Sequence, residues 1–249
     1  MKTRLDGELT KRGLAPTRSQ AESWIRLGKV TVDGKVVTKS GFFVRPDSLI
    51  ELKVDVQYVS RAGLKLASVA EVLGLDFREK LILDVGSSTG GFTDYALRNN
   101  ARKVYAVDVG TDQLHPSLHD NDRIELHEKT DIRDFRVSEK PDIIVIDVSF
   151  ISLREILPHI ARELMHETTE VVAMVKPQFE AGRDQTNKGI IKNESVRRQI
   201  MQDFEFWAKE RFVIRDKRDS EVAGAKGNRE RFYLLTLNRN STTSPGRIT

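Results

Sequence analysis

The chain has 249 residues, 39% hydrophobic and 31% charged, with a formal net charge of +4 and no cysteine. This is the composition of a globular protein of one large or two modest domains, and it excludes disulfides and thiolate metal sites. No apolar run approaches the roughly 18 residues of a membrane span, and "MKTRLDGELTKRG" lacks the apolar core of a secretion signal, so a cytoplasmic, metal-independent protein is expected.

The charge is unevenly placed. Residues 1–60 carry eleven Lys/Arg against seven Asp/Glu, whereas the remainder carries thirty of each. The basic surplus therefore sits in the first quarter of the chain and suggests a small module that meets a polyanion. Charge alone does not separate that reading from an ordinary solvated surface.

The first sixty residues read as helix, turn, helix and short strands. "RLDGELTKRG" places Leu5 and Leu9 four apart and stops at Gly13. "PTRSQAESWIRLGKV" opens with Thr17 and Gln20 in capping-box spacing and closes at Gly28. "KVTVDGKVV" alternates around Asp33-Gly34, a two-residue hairpin signal. The order of these parts, from Arg-Leu-Asp through the Arg-Gly-Leu-Ala turn to the Gly-Lys-Val-x-Val-x-Gly hairpin, resembles the small alpha-L RNA-binding domain, over residues 3–52. The resemblance implies a tether for structured RNA, gripping backbone and shape. Its candidate contacts are Arg4, Lys11, Arg12, Arg18 and Lys29, with Arg61 at the entry to the next segment.

Residues 59–237 alternate apolar strand-like runs with helical stretches, the pattern of an α/β doubly wound parallel sheet. Strands are predicted at 81–85, 103–109, 143–148, 170–175 and 232–237, with weaker ones near 123–127 and 212–215. Helices are predicted over 61–73, 92–99, 151–165 and 194–210. The division expected is 1–58, 59–240 and a structureless polar tail, 241–249.

"LILDVGSSTGGFTDYAL" is a buried strand, an acid, a Gly-rich turn and a helix, the form of a nucleotide-type site at a strand end. A dinucleotide fingerprint fails because Ser88 stands at the middle glycine, and a P-loop fails because Phe92 stands at the lysine. S-adenosylmethionine carries no phosphate and fits better. It needs close backbone approach at Gly86, Gly90 and Gly91 and an acid for the ribose hydroxyls, Asp108. Asp84, Ser88, Phe92, Val109, Asp131 and Ile132 complete the candidate cofactor set, Asp131 lying where methyltransferases often contact the adenine edge. The bland alternative is a tight strand–helix turn that binds nothing.

"VVAMVKPQFE" ends an apolar strand on Lys176, which must reach water, find a partner or serve chemistry. Asp147 ends the preceding strand, so both point to the glycine-loop rim. Lys65 lies on the entering helix, off the apolar face formed by Leu66, Val69, Ala70 and Leu73, and Glu230 leads into the last strand. Taken singly, these residues read as a snorkelling lysine, a helix cap and surface charges.

Two lysines and two carboxylates in this order resemble the Lys-Asp-Lys-Glu tetrad of FtsJ-like 2′-O-methyltransferases. "YVSRAGLKL", "DVGSSTGGFTD", "VDVGTDQL", "IDVSFISL", "VKPQFEAGR" and "GNRERF" resemble more closely the TlyA (haemolysin A) family of ribosomal RNA methyltransferases. The resemblance implies a Rossmann-like class I methyltransferase sheet behind a small α+β RNA-binding domain, S-adenosyl-L-methionine as cofactor, and a cytidine 2′-hydroxyl of 16S or 23S rRNA as acceptor. It implies Lys65, Asp147, Lys176 and Glu230 as the catalytic set. Lys176 is then expected to be the base, oriented by Asp147, with Lys65 and Glu230 fixing the ribose. Arg231 after the glutamate and "SEVAG" at 220–224 depart from the family pattern. Three rivals remain: an RNA-binding assembly factor with a non-catalytic pocket, a base methyltransferase, and a membrane-active haemolysin. His115 and His119 have metal-like spacing, but Pro116 intervenes and no carboxylate motif accompanies them.

Overall fold

The structure is a computed structural model that describes residues 2–53, 58–181, 190–191, 193–222, 224 and 228–238. The tail 241–249 and most of the polar stretch "EAGRDQTNKGIIKNE", 180–194, lie outside these residues.

The N-terminal part runs β1 (Thr3–Arg4), α1 (Leu5–Lys11), α2 (Arg18–Arg26), β2 (Val30–Val32), β3 (Lys35–Val36), β4 (Phe43–Val44) and β5 (Ile50–Leu52). Thr17 caps α2 by accepting from the Gln20 amide at 3.2 Å. The Gln20 side chain does not complete the expected capping box; its Nε2 donates to the Tyr58 carbonyl at 3.0 Å. Asp33 and Gly34 both have positive φ, 49° and 78°, as a two-residue hairpin turn with the twist of its strands requires. Leu5, Leu9, Trp24, Ile25, Val30 and Val44 close a small core, against which Leu64 of the following helix packs.

The second part is a seven-stranded sheet. Its strands are β6 (Leu81–Val85), β7 (Lys103–Val107), β8 (Ile124–His127), β9 (Ile143–Ile146), β10 (Glu170–Val175), β11 (Phe212–Asp219) and β12 (Arg231–Leu237). Its helices are α3 (Arg61–Ala70), α4 (Gly91–Arg98), α5 (Leu153–His159), α6 (Pro177–Glu180) and α7 (Glu194–Ala208). The order is β11-β12-β10-β9-β6-β7-β8. Alternate residues feed opposite apolar layers: Leu81, Leu83 and Val85 face one, Ile82 the other, and Val171 and Ala173 oppose Val172 and Met174. Both faces are thus covered, as a sheet of β-branched runs demands.

The sheet departs from the all-parallel reading. Strands β8, β7, β6, β9 and β10 are parallel, but β12 pairs antiparallel with both β10 and β11. Eleven residues, 220–230, join β11 to β12, fewer than the dozen or so that a parallel crossover needs. This reversal shapes the site, because it brings the start of β12 beside the end of β10, with Val175 opposite Arg231. The helix expected over 151–165 also breaks. Pro158 supplies no amide, and beyond α5 the chain continues as a π-helical turn, Ile160–Leu164.

Candidate active site

The chain order reverses between β6 and β9, and ligand sites in such sheets open at the carboxyl ends of the strands there. Two cavities that share part of their lining occupy that position. The larger, about 290 Å³, is lined among others by Val107, Asp108, Val109, Asp131, Ile132 and Phe150. The smaller, about 150 Å³, is lined by Ala62, Asp84, Ser87, Phe92, Lys176 and others. Gly86, Ser88, Asp147 and Ser149 border both.

Local sequence dictates this shape. Gly86 has φ of +80°, and a Cβ there would lie 2.8 Å from the Asp147 carbonyl oxygen, so only glycine lets the turn lie against β9. Asp108 ties the turn down: its Oδ2 accepts from the Ser88 amide at 2.8 Å and its Oδ1 from the Gly110 amide at 2.7 Å. Each oxygen keeps a second lone pair for a vicinal diol. Asp131 is gripped by Arg133 at 2.7 Å, which holds its carboxylate at the cavity edge beside Ile132. Gly90 and Gly91 line neither cavity. A Cβ on Gly90 would meet Leu114, and one on Gly91 would meet Ala62 and the Gly63 amide, so these two glycines set how α4 seats on its neighbours.

The residues fit S-adenosylmethionine on a specific ground. Asp84 and Ser87 line the smaller cavity, and Asp84 Oδ1 and Ser87 Oγ are buried without a hydrogen-bond partner among the described residues. Burial pushes the Asp84 carboxyl up to about 7; the Thr93 hydrogen bond opposes the rise, and the Asp147 and Asp108 charges add to it. Orphaned buried acceptors call for a donor, and an α-ammonium supplies one that also favours the ionised carboxylate. Binding then releases a proton at low pH. Cofactor affinity should weaken by up to about tenfold per unit as pH falls below about 7. Asp84→Asn should bind more weakly, with a flat profile. Calorimetry across that range checks this, and a flat wild-type profile would remove the ammonium from Asp84.

The four tetrad candidates form two ion pairs. Lys176 Nζ lies 2.6 Å from Asp147 Oδ1 and donates to Ser149 Oγ at 2.8 Å. Lys65 Nζ lies 2.5 Å from Glu230 Oε2, and both residues are buried. Lys65 therefore does not stand on the open face that its helical position suggested, because the start of β12 covers it. Lys176 is buried as well, so it does not snorkel. Asp147 does not cap α5, whose first turn is served by Ser152 and Glu180. Arg231, the departure beside Glu230, has an account: its Nε meets Asp219 at 2.6 Å, where Arg197 also binds at 2.9 Å. That knot fixes the strand ends from which Glu230 projects. Gly224 lies against the Glu230 carboxylate, whose Cδ would be 2.6 Å from any Cβ there.

The basic candidates divide. Arg4 and Arg18 converge on the buried Asp6, at 2.5 and 3.2 Å, which presents two guanidinium groups side by side. Arg12 is an internal clamp, bonded to Glu8 and to the Ser48 and Pro46 carbonyls, so its donors are turned to its own fold. Lys11 and Lys29 are exposed, and Arg61 is half-buried at the start of α3. His115 caps a short turn and His119 bonds the Leu114 carbonyl. Among the described residues no group of three metal-ligating side chains gathers.

Sequence reasoning missed Ser149, Gln113 and Phe150. Gln113 accepts from Ser88 Oγ at 2.9 Å at the cavity rim. Phe150 is 91% exposed, with φ of 66°, and its ring lies 5.2 Å from that of Phe179. Nothing in "VSFIS" distinguishes an aromatic held in solvent from one destined for the core.

Residues 58–238 match the FtsJ-like methyltransferase family and residues 3–50 match the S4 domain. The chain is 42% identical over 193 residues to the 23S rRNA (cytidine-2′-O)-methyltransferase TlyA of Campylobacter jejuni, covering 75% of each. It is 36% identical to the 16S/23S rRNA (cytidine-2′-O)-methyltransferase TlyA of Mycobacterium tuberculosis, covering 76% of this chain and 72% of that one. A solved structure from Streptococcus thermophilus, described as a candidate hemolysin, superposes with a TM-score of 0.71 at 37% identity, over 96% of this chain and 89% of that one. A cavity suited to a sulfonium cofactor, set in a sheet matched along nearly its whole length, thus has kin of known chemistry: the chain belongs to the S-adenosylmethionine-dependent FtsJ-like methyltransferases, in the family of the TlyA enzymes.

Proposed function

We propose that the protein methylates a ribose 2′-hydroxyl of ribosomal RNA, on a cytidine, in the cytoplasm where ribosomal subunits are built. Residues 1–58 capture the RNA and residues 59–240 carry out the transfer. The observation that carries this reading is Lys176, buried at the mouth of the cofactor cavity and held from two sides by Asp147 and Ser149. S-adenosylmethionine, when bound, supplies an electrophilic methyl group on a sulfonium. Asp84 and Ser87 hold its amino-acid end, Asp108 its ribose, and Asp131, Ile132 and Val109 border the space for its base.

The remaining chemistry belongs to side chains. A ribose hydroxyl is a weak nucleophile until its proton has somewhere to go. Lys176 Nζ would take that proton from the hydroxyl. Asp147 and Ser149 fix the position of its nitrogen. The Lys65–Glu230 pair beside it holds the ribose in line, so orientation supplies much of the acceleration. Phe150, exposed at the rim, offers a ring face on which the unstacked acceptor base rests.

A pure assembly factor would have no need of a largely desolvated Lys176–Asp147 pair at a cofactor cavity, which is costly to form. A pore-forming role finds no support among the described residues, where no helix is long and apolar enough to cross a membrane. The test is transfer of labelled methyl from S-adenosylmethionine to unmodified ribosomal subunits, followed by alkaline hydrolysis. Label in an alkali-resistant dinucleotide establishes 2′-O-methylation. Label in an alkali-labile nucleotide would reassign the enzyme to base methylation, and no label on either subunit would reject ribosomal RNA as its substrate.

A further inference from the structure

We infer that Glu180 is a positioning residue that staples the two rim loops together and so holds Phe150 outward for the acceptor, an inference that rests on the 2′-O-methylation reading above. The loop after β9 carries Asp147, Ser149 and Phe150; the segment after β10 carries Lys176, Phe179 and Glu180. Phe150 occupies the left-handed region, at φ of 66°. A bulky residue stays there only where its neighbours impose it. The constraints are visible on both sides. One residue before it, Ser149 accepts from Lys176. Two residues after it, Ser152 Oγ donates to Glu180 Oε2 at 2.6 Å, and the Leu153 amide donates to Glu180 Oε1 at 2.7 Å. Arg154 Nε stands 3.8 Å from the same carboxylate.

The Glu180 side chain is 1% exposed. Burial pushes its carboxyl upward, while the Ser152 and Leu153 hydrogen bonds and the Arg154 charge oppose that rise. Capping the start of α5 does not by itself require this carboxylate, since Ser152 Oγ already accepts from the Arg154 amide within the same loop. What Glu180 adds is a bond between segments. With Lys176 it forms two posts of one segment bracketing the strained residue of the other.

The experiment compares Glu180→Ala, Glu180→Gln and Phe150→Ala, singly and with Glu180→Ala added to Phe150→Ala. Glutamine keeps an acceptor for the Leu153 amide and can donate to Ser152, so it should restore the wild type. Glu180→Ala should lower kcat/KM for RNA between about ten- and a hundredfold, the range of a rim misplaced by about an ångström. In the Phe150→Ala background the same change should add less than about threefold, because both act on one contact. Amide exchange at Leu153 should accelerate in Glu180→Ala and stay slow in Glu180→Gln. Unchanged Leu153 exchange would overturn the staple, and equal losses in both backgrounds would overturn its action through Phe150. Should Glu180→Ala fail to fold, Ser152→Ala removes one of the same bonds together with the cap on the Arg154 amide, and its non-additivity with Phe150→Ala then decides the inference. If the wild type transfers no methyl to RNA, the 2′-O-methylation reading falls; Leu153 exchange, and non-additivity measured on RNA affinity, still decide the staple.

Discussion

Lys176→Ala is expected to lower methyl transfer to RNA by about 10²- to 10⁴-fold, the usual contribution of a positioned proton acceptor, while the affinity for S-adenosylmethionine is held or improved. The asymmetry follows from the geometry. The proposed cofactor contacts come from Gly86, Asp84 and Asp108, whereas Lys176 bonds Asp147 and Ser149, and removing its ammonium frees the Asp147 carboxylate near a cationic ligand. Lys176→Arg separates the two jobs a lysine could do here. A guanidinium keeps the charge and a carboxylate partner but cannot give up its proton in a protein. If Lys176 is the base, arginine is nearly as inactive as alanine; if it only orients the substrate, arginine retains much of the rate. The measurement is single-turnover transfer at saturating cofactor and RNA. Arginine activity within about tenfold of wild type would withdraw the base assignment.

The parts of this molecule that could be read in advance are those where local chemistry has one solution. "DVGSSTGGF" could be placed because a buried strand followed by glycine at positive φ leaves few arrangements, and Gly86 does lie against the Asp147 carbonyl. The Asp33-Gly34 hairpin and the Thr17 cap were legible for the same reason. What escaped were pairings between distant segments. The direction of β12 depends on what joins it to β11, and composition does not report that. The burial of Lys65 depends in turn on that direction, since only an antiparallel β12 sets Glu230 at the rim. Arg12 read as one more basic residue until the loop at Pro46–Ser48 folded onto it. Phe150 and Glu180 invert the usual preference of their residue types: the aromatic lies in water and the carboxylate is buried. Each such inversion is costly unless something compensates it, and both occur at the rim.

The two ion pairs should answer mutation differently, and Glu230 gives the larger response in stability. The Lys65 and Glu230 side chains are 9% and 2% exposed, against 10% and 15% for Lys176 and Asp147. Glu230→Ala strands the Lys65 ammonium in a buried site, and removing one partner of such a pair typically costs about 3–5 kcal/mol. The stranded charge, more than the lost attraction, accounts for that figure. Replacing both residues with apolar ones of similar size, Lys65→Met with Glu230→Leu, should therefore recover most of the stability, because neither charge then needs desolvating. It should recover none of the activity, since the groups proposed to hold the ribose are gone. Thermal or denaturant unfolding, set beside methyl transfer for the single and double variants, separates the two effects. If Glu230→Ala unfolds like the wild type, the pair is open to water in solution. If the apolar double variant methylates RNA, Lys65 and Glu230 take no part in catalysis, and the reaction rests on Lys176 and Asp147 alone.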